Sequence, residues 1–393
     1  MTYKFGFVVV MRMKKLTVQD INNYVGTTVN PLNSPDTIYE LYSVPSFDSD
    51  YPEVLHGSEI GSSKVTIEEN DVLVCKINPR INRVWIVKHH TKHQLIASSE
   101  WVIIRSPENN PRYLMYYFQS PTFRTYINSG LTGIGGSLTR AQPKQIAKYP
   151  VPLPSIELQD RIAATLDKLQ SIITHRKQQL KKLDELVKAR FVEMFGDTEI
   201  NGNNFPIRKL CEVCTVSSSK RIYQEEQSSS GVPFLRISNL VELIDNDRFG
   251  SELFIPEEKY NQLLSNGLVP KTNDILVTSR GTLGKCYIIQ DNDKFYFQDG
   301  MISWLYNLDN SITALYLTKL FDTRHIKKQI DNLQSGSTVA YLSIAMLKKL
   351  NIVVPPLELQ EQFAAFVAQT DKSKVVIETI LSIIRRVKIY DQF

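Results

Sequence analysis

The chain repeats itself, and that constrains its fold more than any local motif does. Pro154-Ser155-Ile156-Glu157-Leu158-Gln159 returns as Pro355-Pro356-Leu357-Glu358-Leu359-Gln360, and each copy leads to an alanine pair, Ala163-Ala164 and Ala364-Ala365. Asn70-Asp71-Val72-Leu73-Val74 returns as Asn273-Asp274-Ile275-Leu276-Val277, and Tyr113-Leu114 with Phe118 returns as Tyr316-Leu317 with Phe321. The three pairs keep one order at a spacing of about 200 residues, far beyond the period of a solenoid. They indicate two pseudo-equivalent halves, each a globular domain followed by a helix.

From Glu157 to about Phe195 there is neither Pro nor Gly, and apolar residues follow a heptad: Ile162, Leu166, Leu169, Ile173, Leu180, Leu183, Val187 and Met194. Arg176 and Arg190 hold two positions of this seam, where a polar residue lowers stability and fixes register. Pro154 and Ser155 mark the start and Gly196-Asp197 the stop. Such a helix is roughly 58 Å long at about 1.5 Å per residue. The second copy repeats the seam at Phe363, Phe366, Ile377, Ile380, Ile384 and Val387, with Thr370 and Ser373 interrupting it. Because a globular segment lies between them, the two helices are expected to pack antiparallel as a coiled coil; the alternative is that each is a seam for another protein, and the two readings are compatible.

The globular segments read as mixed α/β, in the α+β sense. Short β-rich runs at 72–76, 84–87 and 101–105 precede an amphipathic aromatic helix at 112–127, and the order recurs with 275–278, 287–289, 302–306 and a helix at 312–330. Expected boundaries are a domain over 1–150, a helix over 151–200, a second domain over 201–350 and a helix over 351–393. Cys75, Cys211, Cys214 and Cys286 are too scattered for a disulfide framework, and residues 1–15 lack the sustained apolar core of a leader. No run reaches the length of a membrane span. These features fit a cytoplasmic protein without a membrane partner. A net charge of +5 permits a polyanionic partner without demanding one.

Each catalytic signature in the chain is incomplete. An adenine methyltransferase needs an acidic or amide side chain beside two prolines and an aromatic, and neither Asn30-Pro31 nor Asn78-Pro79 continues that way. Gly281-Thr282-Leu283-Gly284-Lys285 approaches a phosphate loop, but Cys286 replaces the Mg-binding hydroxyl and Ser279 the leading glycine. Cys211 and Cys214 have no second ligand pair, which favours helix-facing or buried thiols over a zinc site. His89, His90 and His93 read as a solvated turn between strands, and Glu257-Glu258-Lys259 with Asp247 as a surface helix rather than a nuclease centre. Gly133-Ile134-Gly135-Gly136-Ser137 and Ser335-Gly336-Ser337-Thr338 either approach a phosphate or turn a corner. No catalytic and no metal-binding residue is assigned.

Basic and amide residues concentrate in irregular segments, where binding groups usually sit. The candidates for touching DNA are Lys76, Asn78, Arg80 and Arg83 in the first half, with Asn82 among them and Lys88 and Lys92 following. In the second half they are Lys220, Arg221 and Tyr223, then Arg236, Ser238 and Asn239, then Ser279, Arg280, Thr282 and Lys285. Arg forks to guanine and Asn to adenine, while Lys, Ser and backbone amides mostly hold phosphates.

With these residues assembled, the chain resembles the specificity subunits of Type I restriction-modification systems over essentially its full length. The marks are the paired Pro-x-[Ile/Leu]-Glu-Leu-Gln openings, Asn273 to Val277 running into Ser279-Arg280-Gly281-Thr282-Leu283-Gly284-Lys285, and Pro233-Phe234-Leu235-Arg236-Ile237-Ser238-Asn239. The resemblance implies two target recognition domains, each reading half of a split double-stranded DNA sequence, with the helices as a ruler. It implies two docked methyltransferase subunits that supply S-adenosylmethionine chemistry, leaves open restriction and translocation subunits that use ATP and Mg, and places no cofactor in this chain. The first half departs from the pattern, with Lys76-Ile77-Asn78-Pro79-Arg80 where the second has its Arg-Gly-Thr segment. The competing reading is a standalone nuclease or methyltransferase; intrinsic activity of the pure chain on DNA would separate the two. A third is a coiled-coil interaction protein, whose binding would show neither sequence preference nor steep salt dependence.

Overall fold

Asn70 and Asn273 both adopt a left-handed backbone, φ 71° and 70°, and the aspartate after each accepts from the amide three residues back, Asp71 from Glu68 at 2.9 Å and Asp274 from Lys271 at 2.8 Å. The repeated Asn-Asp pair is therefore a turn that launches a central strand. The computed structural model describes residues 15–129, 139–334 and 340–386. The two glycine- and serine-rich loops, most of residues 1–15, and Val387 lie outside that range. By contact the chain forms two units, residues 1–177 with 378–393, and residues 178–377; the division cuts both long helices instead of falling at the ends of the globular segments.

The first unit runs β1 (Lys15–Thr17), α1 (Val18–Ile21), β2 (Thr28–Val29), β3 (Ile38–Tyr42), β4 (Glu53–His56), β5 (Lys64–Thr66), β6 (Val72–Cys75), β7 (Val84–Ile86), β8 (Gln94–Ala97), β9 (Trp101–Ile104), α2 (Pro111–Phe118), α3 (Pro121–Asn128), α4 (Pro143–Ala147), β10 (Pro150–Pro152) and the start of α5 (Ile156–Phe195). One sheet has the order β7-β6-β9, another β2-β5-β8-β3-β4. Alternation along β6 explains the layering. Val72 and Val74 pack with Tyr113, Tyr117, Phe118 and Phe123 of the helices, while Leu73 and Cys75 pack with Tyr42, Trp85 and Trp101 between the sheets.

The second unit carries the rest of α5, then β11 (Ile207–Lys209), α6 (Leu210–Val213), β12 (Thr215–Ser218), β13 (Val232–Leu235), α7 (Ile237–Asn246), β14 (Phe254–Ile255), α8 (Glu257–Ser265), β15 (Ile275–Thr278), β16 (Cys286–Ile288), β17 (Tyr296–Phe297), β18 (Ile302–Tyr306), α9 (Ala314–Phe321), α10 (Arg324–Leu333), α11 (Ile344–Lys348), β19 (Asn351–Val353) and most of α12 (Leu357–Arg386). Its sheets have the orders β12-β18-β15-β16 and β14-β13-β17. The alternation recurs: Ile275 and Val277 face Tyr316, Leu317 and Phe321, whereas Leu276 faces Leu235, Phe297 and Trp304.

Each expected aromatic helix is in fact two. Pro121 occupies the first turn of α3 and Ser120 caps it by accepting from Phe123 N at 3.2 Å; Thr323 caps α10 in the same way from Ile326 N. The long helices match expectation, with 40 residues in α5 and 30 in α12, and Gly196 stops α5 at φ 74°. Every α5 seam position, Arg176 and Arg190 included, is buried or half-buried, and from Leu169 to Val187 each stands between exposed neighbours. On α12 Phe363 and Ile377 are buried and Phe366, Ile380 and Ile384 half-buried, but Ser373 is exposed and Lys374 takes the seam place assigned to it. Within the second unit the helices pack antiparallel: Asp184 bridges Lys374 at 2.8 Å, Arg190 lies over the Phe366 ring at 5.7 Å, and Phe191 and Phe195 each meet Phe363 at 5.5 Å. No helix among the described residues is long and apolar enough to cross a membrane.

The repeated glutamine has a mechanical role. Gln159, buried at the start of α5, accepts from Asn110 N and donates to Asn109 Oδ1 and Pro154 O. Gln360, buried at the start of α12, accepts from Thr313 N and donates to Ser311 O and Pro355 O. Nearby, Tyr113 Oη donates to Pro152 O and Tyr316 Oη to Val353 O. The same polar rivets fasten α2 to α5 and α9 to α12.

Candidate nucleic-acid interface

In the second unit three strand ends converge on the turn 298–301. Gln298 N donates to Leu235 O at the end of β13, Gly300 N to Ser218 Oγ at the end of β12, and Ser279 N to Met301 O just beyond β15. This hub brings Lys220, Arg221, Arg236 and Arg280, all exposed, to one end of the two sheets. Arg221 is balanced by Asp299 at 2.9 Å. Tyr223 is 56% exposed beside them. Arg280 pairs its backbone with Tyr341 in an isolated bridge and lies over that ring at 5.4 Å. Gln334 clamps Tyr341 through both its amide and its carbonyl. Tyr341 and Gln334 were not legible as functional; their signal is structural, a stacked arginine with a pinned platform.

Other candidates are withdrawn from the surface. Ser279 is 1% exposed and its hydroxyl pairs with that of Ser303 at 2.8 Å, so it cannot meet a ligand in this conformation. Asn239 spends its amide oxygen capping α7 through Arg236 N, while Ser238 stays exposed. Lys285 meets both carboxylate oxygens of Asp245 at 2.5 Å, which ties the hairpin to α7 and removes its free charge. Thr282 remains exposed at the tip. The segment 279–285 joins β15 to β16 as a hairpin with Gly281 and Gly284 at positive φ; a phosphate loop would feed a helix.

In the first unit the equivalent segment carries Lys76 and Arg83, half-buried, with Arg80 exposed. Asn78 and Asn82 take left-handed backbones around a single 3-10 turn, Pro79–Ile81, and Asn82 donates to Phe118 O. The bridge equivalent to Arg280 with Tyr341 is Ile77 with Arg140, so the arginine stands on the opposite strand and is paired with Glu100 at 2.9 Å. Arg140 was missed because only the bridge reveals the correspondence. Lys88 and Lys92 sit at the other end of β7, apart from Lys76 to Arg83.

Residues weighed for chemistry have structural partners. Lys259 bridges Glu226 at 2.5 Å and Glu257 bridges Lys294 at 2.9 Å. Cys214 is buried and burial pushes its thiol up to about 12, whereas Cys211 is exposed, so of the two thiols expected to be helix-facing or buried only Cys214 is buried. His89, His90 and His93 lie in the turn between β7 and β8, as expected.

Two copies of one mixed domain, each presenting cationic loops from its sheet ends and each riveted to a long helix, make a paired-module scaffold. The chain belongs to the family of the Type I restriction modification DNA specificity domain, whose model matches residues 14–184 and again residues 203–385. Among its relatives is a chain named as a type I restriction enzyme specificity subunit of Haemophilus influenzae, 28% identical over 261 residues. That match spans 65% of this chain and 63% of the relative, less than two thirds of its length. The Type I restriction enzyme MjaVIII specificity subunit of Methanocaldococcus jannaschii is 24% identical over 327 residues, 78% of this chain and 73% of the relative. Among solved structures, a chain of a type I R-M system assembly superposes with a TM-score of 0.62 at 17% identity, covering 96% of both chains. The S subunit of a Type I restriction-modification system from M. genitalium gives 0.55 at 14% identity over 100% of this chain and 97% of that one. These two likenesses are of fold.

Proposed function

We propose that this chain is the sequence-reading subunit of a Type I restriction-modification complex, each unit reading one half of a bipartite duplex target and the helices setting the spacer. The observation that carries the reading is the duplicated specificity domain, with Arg280 held on a pinned platform at an exposed hairpin. Arg236, Arg280 and Arg80 are the groups suited to base edges, and Lys76, Lys220, Arg221 and Thr282 those suited to phosphates. Two methyltransferase subunits dock along the helices and supply S-adenosylmethionine chemistry; restriction subunits, where present, bring ATP and Mg. This chain's work is positional, delivering a chosen adenine for a partner to flip and methylate, in the cytoplasm. The competing reading as a standalone enzyme is weakened by the ion pairs that occupy Lys259 and Glu257 and by the hairpin that replaces a phosphate loop.

The test is a randomised-duplex selection with the chain copurified with its methyltransferase subunits, followed by sequencing of bound DNA. Two short fixed blocks separated by a constant run of free bases are expected. A single block, or no enrichment, rejects the split-reader mechanism.

A further inference from the structure

We infer that the turn between β7 and β8, residues 88–93, is a phosphate-contact site for duplex DNA whose shape is set by the buried carboxyl of Glu40. The inference rests on the DNA-reading role proposed above and adds a second contact surface to the first unit.

Alternation along β3 supplies the device. Tyr39 and Leu41 pack with Ile60 and Ile96, so Glu40 and Tyr42 share the other face, and both grip this turn. Tyr42 Oη accepts from Lys88 N at 2.9 Å and donates to Lys88 O at 2.7 Å. The Glu40 carboxyl accepts from His90 N at 3.0 Å, Thr91 N at 2.9 Å and Thr91 Oγ1 at 2.6 Å, and Thr91 Oγ1 in turn accepts from His93 N. Glu40 is 0% exposed and meets no cation among the described residues. Burying a carboxyl is costly unless hydrogen bonds compensate, and here every such bond goes to one surface turn. What is held in place is cationic: Lys88 and Lys92 are exposed, and His89 and His90 are exposed between them. Neither lysine has an ion-pair partner among the described residues.

The second half is an internal control. Asn70 N donates to Val87 O and Val87 N to Asp71 O; Asn273 N donates to Ile289 O and Ile289 N to Asp274 O. The turn after Val87 therefore corresponds to the turn after Ile289, which reads Gln290-Asp291-Asn292-Asp293-Lys294. There Asp293 accepts from Gln290 N and Tyr287 Oη, and Lys294 is paired with Glu257. The fold accepts an acidic turn at this place, so the cationic run in the first half is not a folding requirement. Val84 to Val87 separate this turn from the segment 76–83, so Arg83 and Lys88 stand about 17 Å apart at the rise of a strand. That exceeds the roughly 12 Å width of the major groove, which lets one end of β7 meet base edges while the other meets the flanking backbone.

The experiment measures affinity against salt concentration for the full chain copurified with its methyltransferase subunits, on a short random-sequence duplex and on one carrying the selected target. Lys88→Ala/Lys92→Ala is expected to reduce the slope of log affinity against log salt by about 1.8, at about 0.9 per phosphate, with half-site preference unchanged. Lys294→Ala, in the corresponding turn of the second half, is expected to leave the slope as it is. A wild type that binds and a double variant with the same slope overturn the inference, as does a loss of half-site preference without a change in slope. A wild type that binds neither duplex overturns the DNA-reading role itself, a result distinct from either.

Discussion

At the residue scale, the two repeated glutamines show how a short motif encodes a joint. Gln360→Leu would leave Thr313 N, Ser311 O and Pro355 O without their partner in a buried setting. We expect a loss of at least about 3 kcal/mol in denaturant unfolding of the second unit, since each of the three orphaned buried groups costs about 1 to 3 kcal/mol. A change below about 1 kcal/mol would mean that water replaces the amide. Arg280→Ala is expected to erase the base preference of one half-site while sparing the other, read by selection on randomised duplexes. Equal weakening on all sequences would instead mark a phosphate contact. The repeats Asn-Asp and Pro-x-[Ile/Leu]-Glu-Leu-Gln were visible in the sequence, but not what they do: both are structural joints, and a joint shows only when its distant partner, such as Asn110 or Thr313, is in place. Burial of Ser279 and neutralisation of Lys285 were hidden for the same reason, because Ser303 and Asp245 are remote in the chain.

At the element scale, periodicity carried the reading where it was long. The heptad on α5 predicted its extent closely, and the short β-rich runs at β6 and β15 predicted strands, though not that each faces two cores. It failed where one break in phase was read through, at Ser120-Pro121 and at Thr323, and at Ser373, where a hydroxyl hid the fact that its neighbour Lys374 takes the seam. Lys374 shows how that place is tolerated: burial pulls its ammonium down, and the bonds to Asp184 and Asp371 more than offset this and hold it above its ordinary value. Arg190 is less well served. It bridges Glu193 at 2.9 Å and lies over Phe366, but its Nε is buried without a partner among the described residues. Arg190→Leu is expected to stabilise the second unit by about 1 kcal/mol, because an apolar residue at this half-buried seam position leaves no buried nitrogen without a partner. Destabilisation in a denaturant titration would show that the ion pair and ring contact outweigh the orphaned nitrogen.

At the scale of the whole molecule, the ruler role makes one sharp demand. Adding one helical turn after Lys177 should lengthen the spacer between the half-sites by about one or two base pairs, given a pitch of about 5.4 Å against about 3.4 Å per base pair. Neither half-site should change. Selected sequences with the original spacer would reject the helices as its determinant. The duplication was legible because it recurs in one order at one spacing, whereas the residues that differ between the halves, Arg140 against Tyr341 and the turn at 88–93 against that at 290–294, emerge only once hydrogen bonds establish which positions correspond.

One pairing has a wider consequence. In the first unit the strand that enters, β1, lies antiparallel to the strand that leaves, β10, with Lys15 opposite Pro152 and Thr17 opposite Pro150; β11 and β19 do the same, with Ile207 opposite Val353 and Lys209 opposite Asn351. Chain entry and exit are thus side by side, closed by a short ladder that makes no use of the surface loops. Whatever lies between those strands behaves as a cassette: its loops are free to drift, or the whole insert to be exchanged for another with the same two ends and the same partners for Gln159 or Gln360, without disturbing the frame that carries it.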